Sequence, residues 1–136
     1  MKFSEDYGNA RYPITGYGDD YVQVNQTRHE RSLIITLDEL IPDWGPAVPS
    51  DLMQEEVLQA LIEHHPEIVL LGTGRRIHFP PPQIMALFAN HHIGLEVLDS
   101  AAACRTFNIL LSEGRDVAAA LLMPNVEEQA RHVPDA

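Results

Sequence analysis

The spacing of apolar and polar residues divides the chain into a β-rich first third and a longer stretch in which strand and helix periods alternate. Tyr21-Val22-Gln23-Val24-Asn25 alternates apolar with polar side chains, and Ser32-Leu33-Ile34-Ile35-Thr36 is a second β-rich run. With Gln26 to Arg31 as a polar connection, the two predict an N-terminal antiparallel β-hairpin. The first twenty residues, rich in Gly, Tyr and Asp and ending in Thr15-Gly16-Tyr17-Gly18-Asp19-Asp20, predict an irregular lead-in, with residues 1–15 poorly ordered. Between Asp38 and Pro49, three prolines and Trp44 break any regular period, which predicts a loop that buries its indole against the core.

Beyond that loop the period lengthens. Ser50 or Asp51 is placed to cap a helix running to about His64, with Met53, Val57, Leu58, Leu61 and Ile62 on one stripe and Pro66 preventing continuation. Ile68-Val69-Leu70-Leu71 is unbroken apolar, as a strand covered on both faces requires, and Gly72-Thr73-Gly74 then turns the chain. Pro80-Pro81-Pro82 opens a helix from about Gln83 to His92, with Ile84, Leu87 and Phe88 inward and Gly94 as its stop. Leu95 to Leu98 is the next strand. Asp99 or Ser100 caps a helix with Ala103, Cys104, Phe107, Leu110 and Leu111 on its apolar side, closed by Gly114, and Val117 to Leu122 is the last strand. Strand, helix, strand, helix, strand with short connections predicts right-handed crossovers and a central, largely parallel sheet flanked by helices. Residues 16–123 are thus expected to form one α/β domain, followed by a polar, frayed tail over 124–136.

Charge and cysteine usage narrow the partners. Against 9 Lys and Arg stand 20 Asp and Glu, a net charge of −11 in 136 residues, which repels nucleic acid and anionic lipid. The single cysteine allows no intrachain disulfide, the N-terminus reads as neither a signal nor a transit peptide, and no apolar run is long enough to span a bilayer. A cytoplasmic protein without membrane insertion is expected, with a homodimer as the default assembly.

A series of fragments occurs in fixed order: Leu70-Leu71-Gly72-Thr73-Gly74, Phe79-Pro80-Pro81, Gly94-Leu95-Glu96-Val97, Ala103-Cys104-Arg105-Thr106-Phe107-Asn108 and Leu111-Ser112-Glu113-Gly114-Arg115. The series resembles a small α/β domain family of bacteria and archaea whose eukaryotic relatives include mitochondrial complex I assembly factor 3 and an adipogenesis-associated protein. The resemblance spans about residues 16 to 123. It implies a three-layer fold with no established catalytic activity or cofactor, and a role in assembly through contacts with other proteins.

The residues themselves offer one candidate cleft. In an open parallel sheet, ligands sit beyond the carboxyl ends of the strands, where loops and helix N-termini converge. Gly72, Thr73, Gly74 and Arg75 in one loop, and Ser100 at the start of the following helix, should meet there and hold a small anion or carboxylate. Packing accounts for the same residues: glycines for tight backbone angles, Ser100 as a cap, arginines in water. Cys104, in the first turns of that helix, is either an activated thiol or a small core side chain, and Asn108 either shares its face or reaches a loop carbonyl.

Gly72-x-Gly74 fails as a dinucleotide fingerprint, because the third glycine position is Ile77 and Pro80-Pro81-Pro82 intervenes before the helix. No histidine pair has helical metal-site spacing and no Gly-x-Ser-x-Gly elbow occurs. The chain is therefore expected to be a non-catalytic interaction domain without cofactor or metal, with a small-molecule or anion-binding protein, or an enzyme, as the competing expectation.

Overall fold

A computed structural model describes residues 11–128, and regular structure begins within the expected lead-in. Strands β1 (Ile14–Gly18), β2 (Tyr21–Val24) and β3 (Thr27–His29) form a three-stranded antiparallel sheet in that order. Val24 pairs with Thr27, so Asn25 and Gln26 form a two-residue hairpin turn, and Asn25 takes the left-handed φ of 53° that such a turn demands. The expected N-terminal antiparallel hairpin is thus present, but the partner expected for its first strand is corrected. The partners of Tyr21–Val24 are β1 and β3, whereas Leu33–Ile35 forms β4 in a different sheet. The polar run assigned to a connection contains both the turn and β3.

The second sheet has five strands in the order β5-β4-β8-β6-β7, where β5 is Leu40–Ile41, β6 Ile68–Gly72, β7 Gly94–Leu98 and β8 Val117–Leu121. Strands β6, β7 and β8 are parallel, while β4 runs antiparallel to both β8 and β5. Val69 to Leu71 and all of β8 are buried, as their unbroken apolar sequence demands. One face of this sheet packs Leu70, Ala119 and Leu121 against the helix α3 (Ser100–Ser112) and against Ile14, Val22 and Val24 of the small sheet. The other packs Val69, Leu71, Ala118 and Ala120 under α1 (Glu55–His64) and α2 (Pro82–Asn90). Phe107 anchors the first core and Phe88 the second, and burying each contributes roughly 1.5–3 kcal/mol. The three-layer α/β architecture with its largely parallel central sheet is thus present.

Helix boundaries show local differences. Pro49–Leu52 forms a 3-10 turn of its own and α1 starts later, at Glu55. The Asp51 carboxylate accepts from the backbone N–H groups of Ala47 and Val48 rather than capping α1. His92, at φ 57°, turns the chain after α2, and Gly94 already belongs to β7. Asp99 caps α3 by accepting from the N–H of Ala102. After β8 the chain is packed as far as it is described: the N–H of Asn125 donates to the Asp19 carbonyl, and the Glu128 carboxylate accepts from the N–H and hydroxyl of Ser50. Residues 124–128 therefore form a strap rather than a frayed tail. Most of the expected lead-in, and the tail from residue 129, lie outside the described residues.

Candidate functional site

Strands β6, β7 and β8 end in register at Gly72, Leu98 and Leu121. From β6 the chain leaves for α2 on one face, and from β7 for α3 on the other, which makes this edge the topological switch point where open α/β sheets bind ligands. Gly72, Thr73, Gly74, Arg75 and Ser100 do meet at this rim. They meet by bonding one another. The N–H of Ser100 donates to the Gly74 carbonyl at 2.8 Å, and the N–H of Gly74 donates to Ser100 Oγ at 2.8 Å. The N–H of Thr73 donates to the Leu98 carbonyl at 2.9 Å. Thr73 Oγ1 donates to the Arg76 carbonyl and accepts from the N–H of His78, pinning the rest of the loop. Thr73 and Ser100 are fully buried. A Cβ on Gly72 would lie 3.0 Å from Ser100 Oγ and 2.8 Å from the Leu121 side chain, so glycine permits the close approach.

The strap covers the outer side of the rim. The Val126 carbonyl accepts from the N–H of Arg75 at 2.8 Å. Glu127 lies 3.5 Å from Arg76 Nε and 3.9 Å from Arg75 Nε, so both guanidinium groups face an internal carboxylate. These pairs are solvent-exposed and each is worth at most about 1 kcal/mol.

The remaining two candidates continue along the buried face of α3. Asn108 bridges backbone: its Oδ1 accepts from the N–H of Ile14 at 3.1 Å and its amide donates to the Ile14 carbonyl, fixing β1 beside its bulge. Cys104 is buried among Ala103, Phe107 and Leu111, and burial pushes its thiol from 9.0 up to about 12, with the Arg105 charge opposing only in part. A thiolate nucleophile is thereby disfavoured.

Because the unfolded thiol ionises at lower pH than the folded one, the unfolded state binds fewer protons between pH 9 and 12, and Cys104 makes stability fall as pH rises through that window. Urea melts across the window should show a shallower decline in Cys104→Ala than in the parent chain. Equal slopes would mean that the thiol is not held neutral by burial.

Sequence reasoning missed a hollow of about 330 Å³ at the same edge, beyond the end of β8, lined by Arg31, Ser32, Asp43, Pro46, Met123 and Val126 among others. Its only trace in the sequence was the polar Ser32 ahead of β4, because its walls come from both ends of the chain. No group of three or more His, Cys, Asp or Glu among the described residues has the arrangement of a metal site. No helix among them is long and apolar enough to cross a membrane.

Comparison with known proteins places this geometry. The complex I assembly factor 3 of Mus musculus is 34% identical over 91 residues, covering 66% of this chain and 49% of the relative, so the chain spans about half the length of that protein. A protein named 13 kDa major membrane protein from Francisella tularensis is 32% identical over 99 residues, covering 73% of this chain and 80% of the relative. The solution structure of a Bordetella pertussis protein described as a Mth938-like domain superposes with a TM-score of 0.77 at 29% identity, covering 99% of this chain and 100% of the other. The profile of the family described as protein of unknown function DUF498/DUF598 matches residues 14–122, the whole span from the first strand to the end of β8, and the chain belongs to that family.

Proposed function

We propose that this chain is a non-catalytic, assembly-type factor that works by binding other proteins. The observation that carries the proposal is Phe79, 72% exposed on a loop that Thr73 tethers at Arg76 and His78, with Ile77 two residues before it at 46%. Phe79 and Ile77 together form an exposed apolar feature of the kind that a partner protein covers, with the aromatic ring as its anchor. The rim behind that loop uses its backbone donors internally, and several relatives carry the name of an assembly factor. We assign the protein to the cytoplasm because Cys104 is buried and unpaired, and cell fractionation tests this against a relative named for a membrane.

Affinity capture from cell extract at moderate salt, with the full chain and with Phe79→Ser as baits, tests the role. Partners held by the parent and released from Phe79→Ser are expected; equal recovery on both baits would refute the anchor.

A second reading is favoured by the 330 Å³ hollow at the switch-point edge, which has the size of a small-ligand site. Gly72, Thr73, Gly74, Arg75 and Ser100 do not line this hollow, but Val126 does and its carbonyl also holds the N–H of Arg75, so lifting the strap would open the hollow toward Arg75 and release that donor for an anion. A ligand at 100 times its dissociation constant adds about 2.7 kcal/mol to stability. Stabilisation by an anionic metabolite that disappears in Arg75→Ala would favour this reading over the first.

A further inference from the structure

Away from the rim, the outer side of α1 faces the segment that carries β5 and Trp44. Two hollows lie between them, of about 540 Å³ and about 430 Å³, and Ala60 forms part of the wall of both. The first is lined by Trp44, Pro46, Val57 and the carboxylates of Asp51 and Glu56. The second is lined by Ile34, Ile41, Leu61 and the carboxylates of Glu39 and Glu63. On α1 the residues Glu56, Ala60 and Glu63 recur at helical spacing, so they form one row, opposite the buried stripe of Leu58, Leu61 and Ile62. The surface is a groove with an apolar and aromatic floor between acidic walls, and neither lining contains Lys or Arg. The one basic group is His64, whose Nδ1 lies 3.5 Å from Glu39 Oε1.

We propose that this groove receives a basic amphipathic helix of a partner protein. The proposal rests on the interaction reading above and names the chemistry of a second contact surface. Charge complementarity selects the occupant. Glu56 and Glu63 on α1, with Glu39 beside His64, make the walls acidic, while Asp51 is engaged by the N–H groups of Ala47 and Val48. An acidic or neutral segment gains nothing from that charge, and a second copy of a chain with net charge −11 is repelled. A helix is selected because the neighbouring edge strand β5 has only two residues, too few to template a paired strand. The apolar face of the incoming helix covers Trp44, Val57 and Ile41, while its lysines or arginines reach the acidic walls.

Trp44 is the sole tryptophan of the chain, so its emission reports the groove directly. The full chain is titrated with a short designed helix of leucine and lysine containing no tryptophan, and with a scrambled peptide of equal composition lacking an apolar face. A blue shift with the amphipathic peptide alone is expected. Its dissociation constant should rise about tenfold in Glu56→Gln/Glu63→Gln, equivalent to about 1.4 kcal/mol, and change little in the equally charged remote pair Glu96→Gln/Glu113→Gln. Equal weakening in both pairs, equal binding of the scrambled peptide, or no change at Trp44 would overturn the proposal by reducing the contact to general attraction. Emission that shifts with protein concentration alone would assign the groove to a second copy and overturn it as well. Partner capture that depends on Phe79 but is indifferent to the groove pair would sink the groove while leaving the interaction role intact.

Discussion

Asn108→Leu is expected to destabilise the fold by about 2–5 kcal/mol, despite the near-identical shape of the two side chains. Asn108 lies within α3, 94 residues from the strand it holds, and satisfies both the N–H and the carbonyl of Ile14 with one amide group. Leucine leaves both backbone groups buried and unpaired, and each such group costs about 1–3 kcal/mol. Ile14 itself is fully buried beneath α3, so water cannot replace the lost partner without opening the contact between the small sheet and the helix. The measurement is urea unfolding. The midpoint should fall at unchanged slope, and amide exchange at Ile14 should accelerate more than at Val69 in the central sheet. A loss below about 0.5 kcal/mol would show that Asn108 is not the clamp of β1.

Gly74→Ala should be nearly as damaging, and for two separable reasons. Gly74 has a φ of 94°, where a side chain costs about 1–3 kcal/mol in backbone strain. A Cβ there would also lie 2.4 Å from the Val126 carbonyl oxygen. That oxygen accepts from Arg75, and its neighbours Glu127 and Glu128 are held by Arg75, Arg76 and Ser50, so the strap has to lift as a unit. A total of about 2–5 kcal/mol is expected, with the Arg75 amide losing its protection from exchange. Gly114→Ala supplies the control. Gly114 also has positive φ, at 74°, but nothing lies within 4 Å of a Cβ there, so its cost should stay near 1 kcal/mol. Equal losses at the two glycines would mean that strain alone acts and that the strap is not seated on Gly74.

The alternation of strand and helix from Ile68 to Leu121 was legible because each element there carries its own periodic signal: the unbroken apolar runs of β6 and β8, the stripe of Ala103, Phe107 and Leu111, the cap at Asp99. Those signals are local, and so the three parallel strands, their crossovers and the rim where Gly72 to Arg75 meets Ser100 follow from them. The pairing of β2 did not follow. An apolar strand such as Leu33–Ile35 suits several sheet edges equally well, and only the vacant edge of β8, more than eighty residues later, decides where it goes.

The state of the rim was equally out of reach, because whether a backbone donor awaits a ligand or is already satisfied depends on pairs with no periodic trace. Gly74 and Ser100 are 26 residues apart, Ser50 and Glu128 78, Ile14 and Asn108 94. From Ile68 onward the sequence alone determined which elements form and in what order the parallel core is wound. Tertiary packing decided which polar groups are consumed inside the fold and which surfaces stay open, since hydrogen-bond satisfaction is settled between distant segments only when the core brings them into contact.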